Sequence, residues 1–86
     1  METIADGLRS IYKLIEKGQL DNALWEITDL EENLRKKCPG LIDKYHLKTY
    51  FSKWRTRLLR TNAQGIQLVL SELDLLIRKL DQVVID

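Results

Sequence analysis

The stretch 64-QGIQLVLSELDLLIRKLDQVV-84 decides the fold. On a seven-residue grid Ile66, Leu73 and Leu80 share one track, Val69, Leu76 and Val83 a second, and Leu70, Ile77 and Val84 a third. These tracks adjoin on a helix surface and make one wide apolar face. Gln67, Ser71, Glu72, Asp74, Arg78, Lys79, Asp81 and Gln82 occupy the other side, and Leu68 and Leu75 sit at the edge. So broad a face needs cover from more than one neighbour, which predicts a C-terminal helix that is the most buried element of an all-α fold. A short strand over residues 66–70 is rejected, because the tracks continue for about five turns and no partner strand is visible.

Working outward, Thr61 and Gln64 have the spacing of a capping box for this helix, with Asn62 as an alternative cap. The helix before it is expected over roughly residues 41–59, its stripe being Leu47, Phe51, Trp54 and Leu58. Leu41, Ile42 and Tyr45 do not align with that stripe, which leaves room for a break near His46. Cys38-Pro39-Gly40 separates it from a second helix, since proline disfavours helical geometry in the residue before it. That second helix carries Ala23, Ile27, Leu30 and Leu34 inward and Glu26, Asp29 and Glu32 outward. Asp21 is its expected cap, with Leu20 and Trp25 placed as a hydrophobic staple.

The first helix is expected to start at Thr3, which with Asp6 has cap spacing, and to end at Gly18. Its stripe is Ile4, Leu8, Ile11 and Ile15, and Gly7 within it permits close approach of a neighbour. This pair, with Gly18, Leu20 and Ala23 around a short turn, resembles one helical hairpin of a tetratricopeptide repeat. No second copy follows one period later, so no family is inferred. Four helices with short connections predict an antiparallel up-down-up-down four-helix bundle, with residues 1–86 as a single domain.

A chain of 86 residues buries only about 60% of its unfolded surface, so help from a partner chain is plausible. The formal net charge of +1 favours neither nucleic acid nor membrane. Charges interrupt every apolar run well before the roughly 18 residues of a membrane span. One cysteine, Cys38, excludes an internal disulfide, and the N-terminus lacks a secretory layout, so a reducing cytoplasm is the expected compartment.

Enzyme chemistry finds little support. His46 and Cys38 are the only residues of their types, Cys38 lies in a turn, and no oxyanion-binding motif accompanies them. A zinc site needs more suitable ligands than one Cys and one His supply. The four glycines are isolated, so no phosphate-cradling loop occurs. No catalytic residue, cofactor, metal or small-molecule substrate is therefore expected.

The strongest local bias is electrostatic. Lys44, Lys48, Lys53, Arg55, Arg57 and Arg60 face the single acid Asp43 between residues 41 and 60, with Tyr45, Tyr50 and Trp54 interleaved. Solvated bases flanking the core stripe account for this simply. The functional alternative is a protein partner with an acidic surface, bound through Lys48, Tyr50, Lys53, Arg55, Arg57 and Arg60, with Trp25 as an exposed anchor. The same bases on phosphates would give a nucleic-acid-binding bundle, the weaker option. Leftover apolar area at Leu68, Leu75 and Val83 suggests a second copy or another protein's helix. The expected function is a non-enzymatic interaction module: an inhibitor, adaptor or regulatory subunit.

Overall fold

A computed structural model describes residues 3–85. Over these residues the fold is all-α, with five helices in chain order: α1 (Ile4–Glu16), α2 (Leu20–Lys37), α3 (Pro39–Lys44), α4 (Leu47–Arg60) and α5 (Ala63–Lys79). Helix α1 touches α2 and α5, α4 touches the same two helices, and α3 bridges α2 and α4.

Local chemistry sets most of the boundaries. The Thr3 hydroxyl accepts the Asp6 N–H at 3.2 Å and the Asp6 carboxylate accepts the Thr3 N–H at 3.2 Å, completing a capping box for α1. Past the other end, Gly18 takes φ +77° and donates its N–H to the Ile15 carbonyl at 3.0 Å. The tight reversal starts α2 earlier than expected. Gln19 is the N-cap, its carbonyl accepting the Ala23 N–H at 3.0 Å, and Asp21 lies inside the first turn rather than capping it. With the cap at Gln19, Leu20 is the first helical residue, so it and Trp25 do not hold the staple positions; Trp25 is 70% exposed.

The single helix expected over residues 41–59 is two helices. His46, at φ 55°, turns the chain between α3 and α4. A straight continuation would point Leu41, Ile42 and Tyr45 away from the stripe of α4. With the left-handed turn these three pack partly buried against the same core as Leu47, Phe51, Trp54 and Leu58. Thr61, at φ 52°, ends α4, which removes it as a cap for α5. Asn62 takes that role, its side-chain oxygen accepting the N–H groups of Gln64 at 2.9 Å and Gly65 at 3.2 Å.

The C-terminal helix is shorter than its apolar tracks suggested. It ends at Lys79, and the residues after it pair with the start of α1. The Val83 carbonyl accepts the Ile4 N–H at 3.0 Å, and Thr3 and Val84 form an isolated antiparallel bridge. Ile4 N–H is one of the donors a helix start leaves orphaned, so this pairing satisfies it while burying Ile85. Val83 and Val84 therefore belong to a tail and not to α5.

The most buried helix is α1, not α5. Ile4, Ala5, Leu8, Ile11 and Ile15 are buried among the 13 residues of α1, against Val69, Leu73 and Leu76 among the 17 of α5. The reason is position: α1 lies between α2, α5 and the returning tail. Gly7 lets α2 approach, since a Cβ there would lie 2.9 Å from Leu30 Cδ1. Trp54 and Phe51 fill the middle, and among the described residues no polar or charged side chain is buried.

Candidate interaction surfaces

The basic residues of α4 are divided by their positions on the helix. Arg55 reaches Glu31 of α2 at 2.6 Å, and Arg57 reaches Glu72 of α5 at 2.5 Å. Lys53 joins the same Glu72 at 3.3 Å. These flanks of the α4 stripe face opposite neighbours, so the cations tie α4 to both. Lys48 and Arg60 are exposed and have no carboxylate within salt-bridge distance among the described residues. Tyr50 is half-buried, with Lys53 Nζ 5.4 Å from its ring centroid and Trp54 tilted against it at 5.8 Å. The six residues nominated on this helix thus do not converge on one patch.

Trp25 projects from α2 over a shallow hollow shared with Asp21, Leu24 and Thr28. Leu59 on α4 is equally exposed at 70%, a feature its sequence position did not reveal.

The outer face of α5 carries two of the four exposed large apolar side chains among the described residues. Leu68 is 51% and Leu75 63% exposed. Gln64, Gln67, Leu68 and Ser71, with Ala63, line a hollow of about 480 Å³. The first four stand at i, i+3, i+4 and i+7, the set that forms a hole in helix packing. A second hollow shares Gln64 and Leu68 and runs to Asn62, Gly65, Arg57 and Arg60 at the end of α4. No ionisable side chain occurs between residues 61 and 71, so this strip is neutral with a cationic rim. Val83 does not join it: Val83 is half-buried in the tail and its carbonyl is engaged by Ile4. Sequence alone pointed to both leucines. It passed over the hole, because Gln64, Gln67 and Ser71 read as ordinary polar surface; their heptad offsets from Leu68 were the available signal.

Among the described residues no three His, Cys, Asp or Glu side chains group to hold a metal. No helix among the described residues is long and apolar enough to cross a membrane. No protein-family model, curated protein or solved structure matches the chain.

Proposed function

We propose that this protein is a small non-enzymatic interaction module, an inhibitor, adaptor or regulatory subunit, whose working surface is the outer face of α5. Its four longer helices are read as an up-down-up-down bundle with α3 as an insert. Gly7 against Leu30, Glu31 with Arg55, Arg57 with Glu72 and Arg9 with Asp81 support that order of neighbours.

The observation that carries the functional proposal is the pair Leu68 and Leu75, both more than half exposed on the outer face of α5, Leu68 within the uncharged run 61–71 and Leu75 beside the Asp74–Arg78 ion pair. Covering them removes apolar area from water, which drives association. A partner helix with two or three apolar residues at helical spacing would fill the strip, and an acidic residue at its end would meet Arg60. The rim charge then acts chiefly on encounter rate and orientation. The mechanism is occupation of a partner's surface.

Of the α4 bases named as contacts, Lys48 and Arg60 alone lack a carboxylate partner among the described residues and so remain for nucleic-acid binding. Arg55, Arg57 and Lys53 already have carboxylate partners, and neutralised cations release few counterions from a phosphate backbone. Affinity capture from the native host tests the proposal. The wild-type chain should retain a partner that the double variant Leu68→Lys, Leu75→Lys loses, with Arg60→Glu weakening capture. An unchanged set of retained proteins would refute it, and retention of mixed DNA or RNA at low salt would favour phosphate binding instead.

A further inference from the structure

Helix α2 carries a charge pattern that the fold leaves largely unmatched. Residues 18–34 contain Asp21, Glu26, Asp29, Glu31 and Glu32 and no lysine, arginine or histidine. Packing neutralises one of these acids, Glu31, which accepts Arg55 of α4 at 2.6 Å. Asp21, Glu26, Asp29 and Glu32 have no cation within salt-bridge distance among the described residues. The helix dipole favours an acid in the first turn, which accounts for Asp21 and not for the three farther along.

Trp25 stands in the middle of these acids. Asp21 and Asp29 lie four residues before and after it and Glu32 seven after, so all three share its outward stripe. All three are exposed, and Trp25 is the one exposed aromatic side chain among the described residues. Two other rings already carry cations. Lys44 and Lys79 sit 5.5 Å and 5.9 Å from the centre of Tyr45, and Lys53 sits 5.4 Å from that of Tyr50. Among the described residues no lysine or arginine lies over Trp25. An indole face attracts a cation as a carboxylate does, so ring and acids call for the same complement.

We propose that this stripe docks an arginine-bearing segment of another protein, one guanidinium stacking on the Trp25 indole while neighbouring cations meet Asp21, Asp29 and Glu32. Arginine fits better than lysine, because its planar, weakly hydrated head stacks on an aromatic face and still donates to a carboxylate. Four residues of helix rise about 6 Å, so Asp21 and Asp29 stand that far to either side of the ring along α2. Alternate residues of an extended chain repeat at about 6.6 Å, which brings three side chains of one segment to Asp21, Trp25 and Asp29. Lys36, one turn beyond Glu32, bounds the stripe. The sequence grouped Trp25 with the α4 bases against an acidic partner; the surroundings of Trp25 favour the opposite charge. The α2 stripe is independent of the α5 face.

The probe is hexa-arginine, titrated into the full chain at about 150 mM salt and followed by NMR. The Trp25 indole N–H should shift saturably, with half-saturation at or below about 1 mM, while that of the buried Trp54 stays in place. Asp21→Asn, Asp29→Asn and Glu32→Gln together should raise that concentration about tenfold or more. Trp25→Ala, followed at the Asp29 backbone amide, should raise it about threefold to fivefold and leave thermal melting unchanged, since Trp25 is mostly exposed. Hexa-lysine should bind more weakly, because its ammonium groups do not stack. The Leu68→Lys, Leu75→Lys chain should bind the peptide like wild type, which keeps this result separate from the fate of the α5 face. Absence of a saturable Trp25 shift up to about 10 mM peptide would overturn the proposal. So would equal affinity for the two peptides with Trp25→Ala unaffected, which would reduce the contact to unspecific charge attraction.

Discussion

Two residues hold backbone conformations that their side chains disfavour. Thr61 and His46 sit at φ 52° and 55°, each ending one helical direction and opening another. A β-branched residue is poorly suited to the left-handed region, whereas glycine enters it at little steric cost. Thr61→Gly should therefore stabilise the chain by about 0.5–1 kcal/mol, the relief of strain exceeding the added unfolded-state entropy. Urea denaturation measures this, and a loss of stability would mean that the Thr61 hydroxyl matters more than the strain. Asp6 makes the opposite case of a residue well matched to its place. The Thr3 backbone N–H and hydroxyl, with Arg9 nearby, hold its carboxyl below its ordinary value of 3.8. A carboxyl depressed in the folded state contributes stability that is fully present above the unfolded value and lost as pH falls through the folded one. Asp6→Asn should thus melt lower than wild type at pH 7, and the gap should close as the pH drops below the ordinary carboxylate range. A gap that stayed constant in acid would exclude the carboxylate as its source.

At the scale of elements, what was legible was local. The α1 cap at Thr3 and its stop at Gly18 depend on residues a few positions apart, and both appear in the structure. The buried side of α5, through Val69, Leu73, Leu76 and Leu80, follows from helical period alone. The end of α5 was not legible, since residues 80–84 continue the apolar tracks without glycine or proline. Only pairing with the start of α1, far away in sequence, takes them out of the helix. The same holds for the candidate surface. Leu68 and Leu75 could be read as edge residues, but the partners of Arg55 and Arg57 stand 24 and 15 residues away, and no local pattern announces them. Those pairs carry a prediction about how the helices are held. Glu72 is 23% exposed and serves both Arg57 and Lys53 between α4 and α5. Glu72→Gln should cost about 1 kcal/mol, more than a solvent-exposed pair contributes, because the site is partly screened from water. The exposed pair Asp74 and Arg78 on α5 is the control, and Asp74→Asn should change denaturant stability by less. Equal effects would show that screening at Glu72 makes no difference.

At the scale of the whole molecule, stability comes from a core barely large enough. A domain of this length is worth about 5–10 kcal/mol in total, so a single well-buried side chain is a sizeable share. The chain runs 34 Å along its longest axis and 19 Å across the others, and its two ends are joined where the tail returns to α1. Ile85 closes that end with 5% exposure, against a core that includes Ile4 and Leu8. Truncating a buried isoleucine to alanine removes its transfer energy and leaves unfilled space, at a cost of about 2 kcal/mol or more. For a domain of this size that lowers the melting temperature by roughly 10 °C. Thermal circular dichroism of Ile85→Ala should show that drop, whereas Leu75→Ala on the exposed strip should stay within about 0.5 kcal/mol of wild type. The comparison separates two leftover apolar regions that the sequence presented as one greasy helix: one sealing the core, the other facing water. If Ile85→Ala melted together with the wild type, the Ile85 side chain would not seal the core at the end where the tail meets α1.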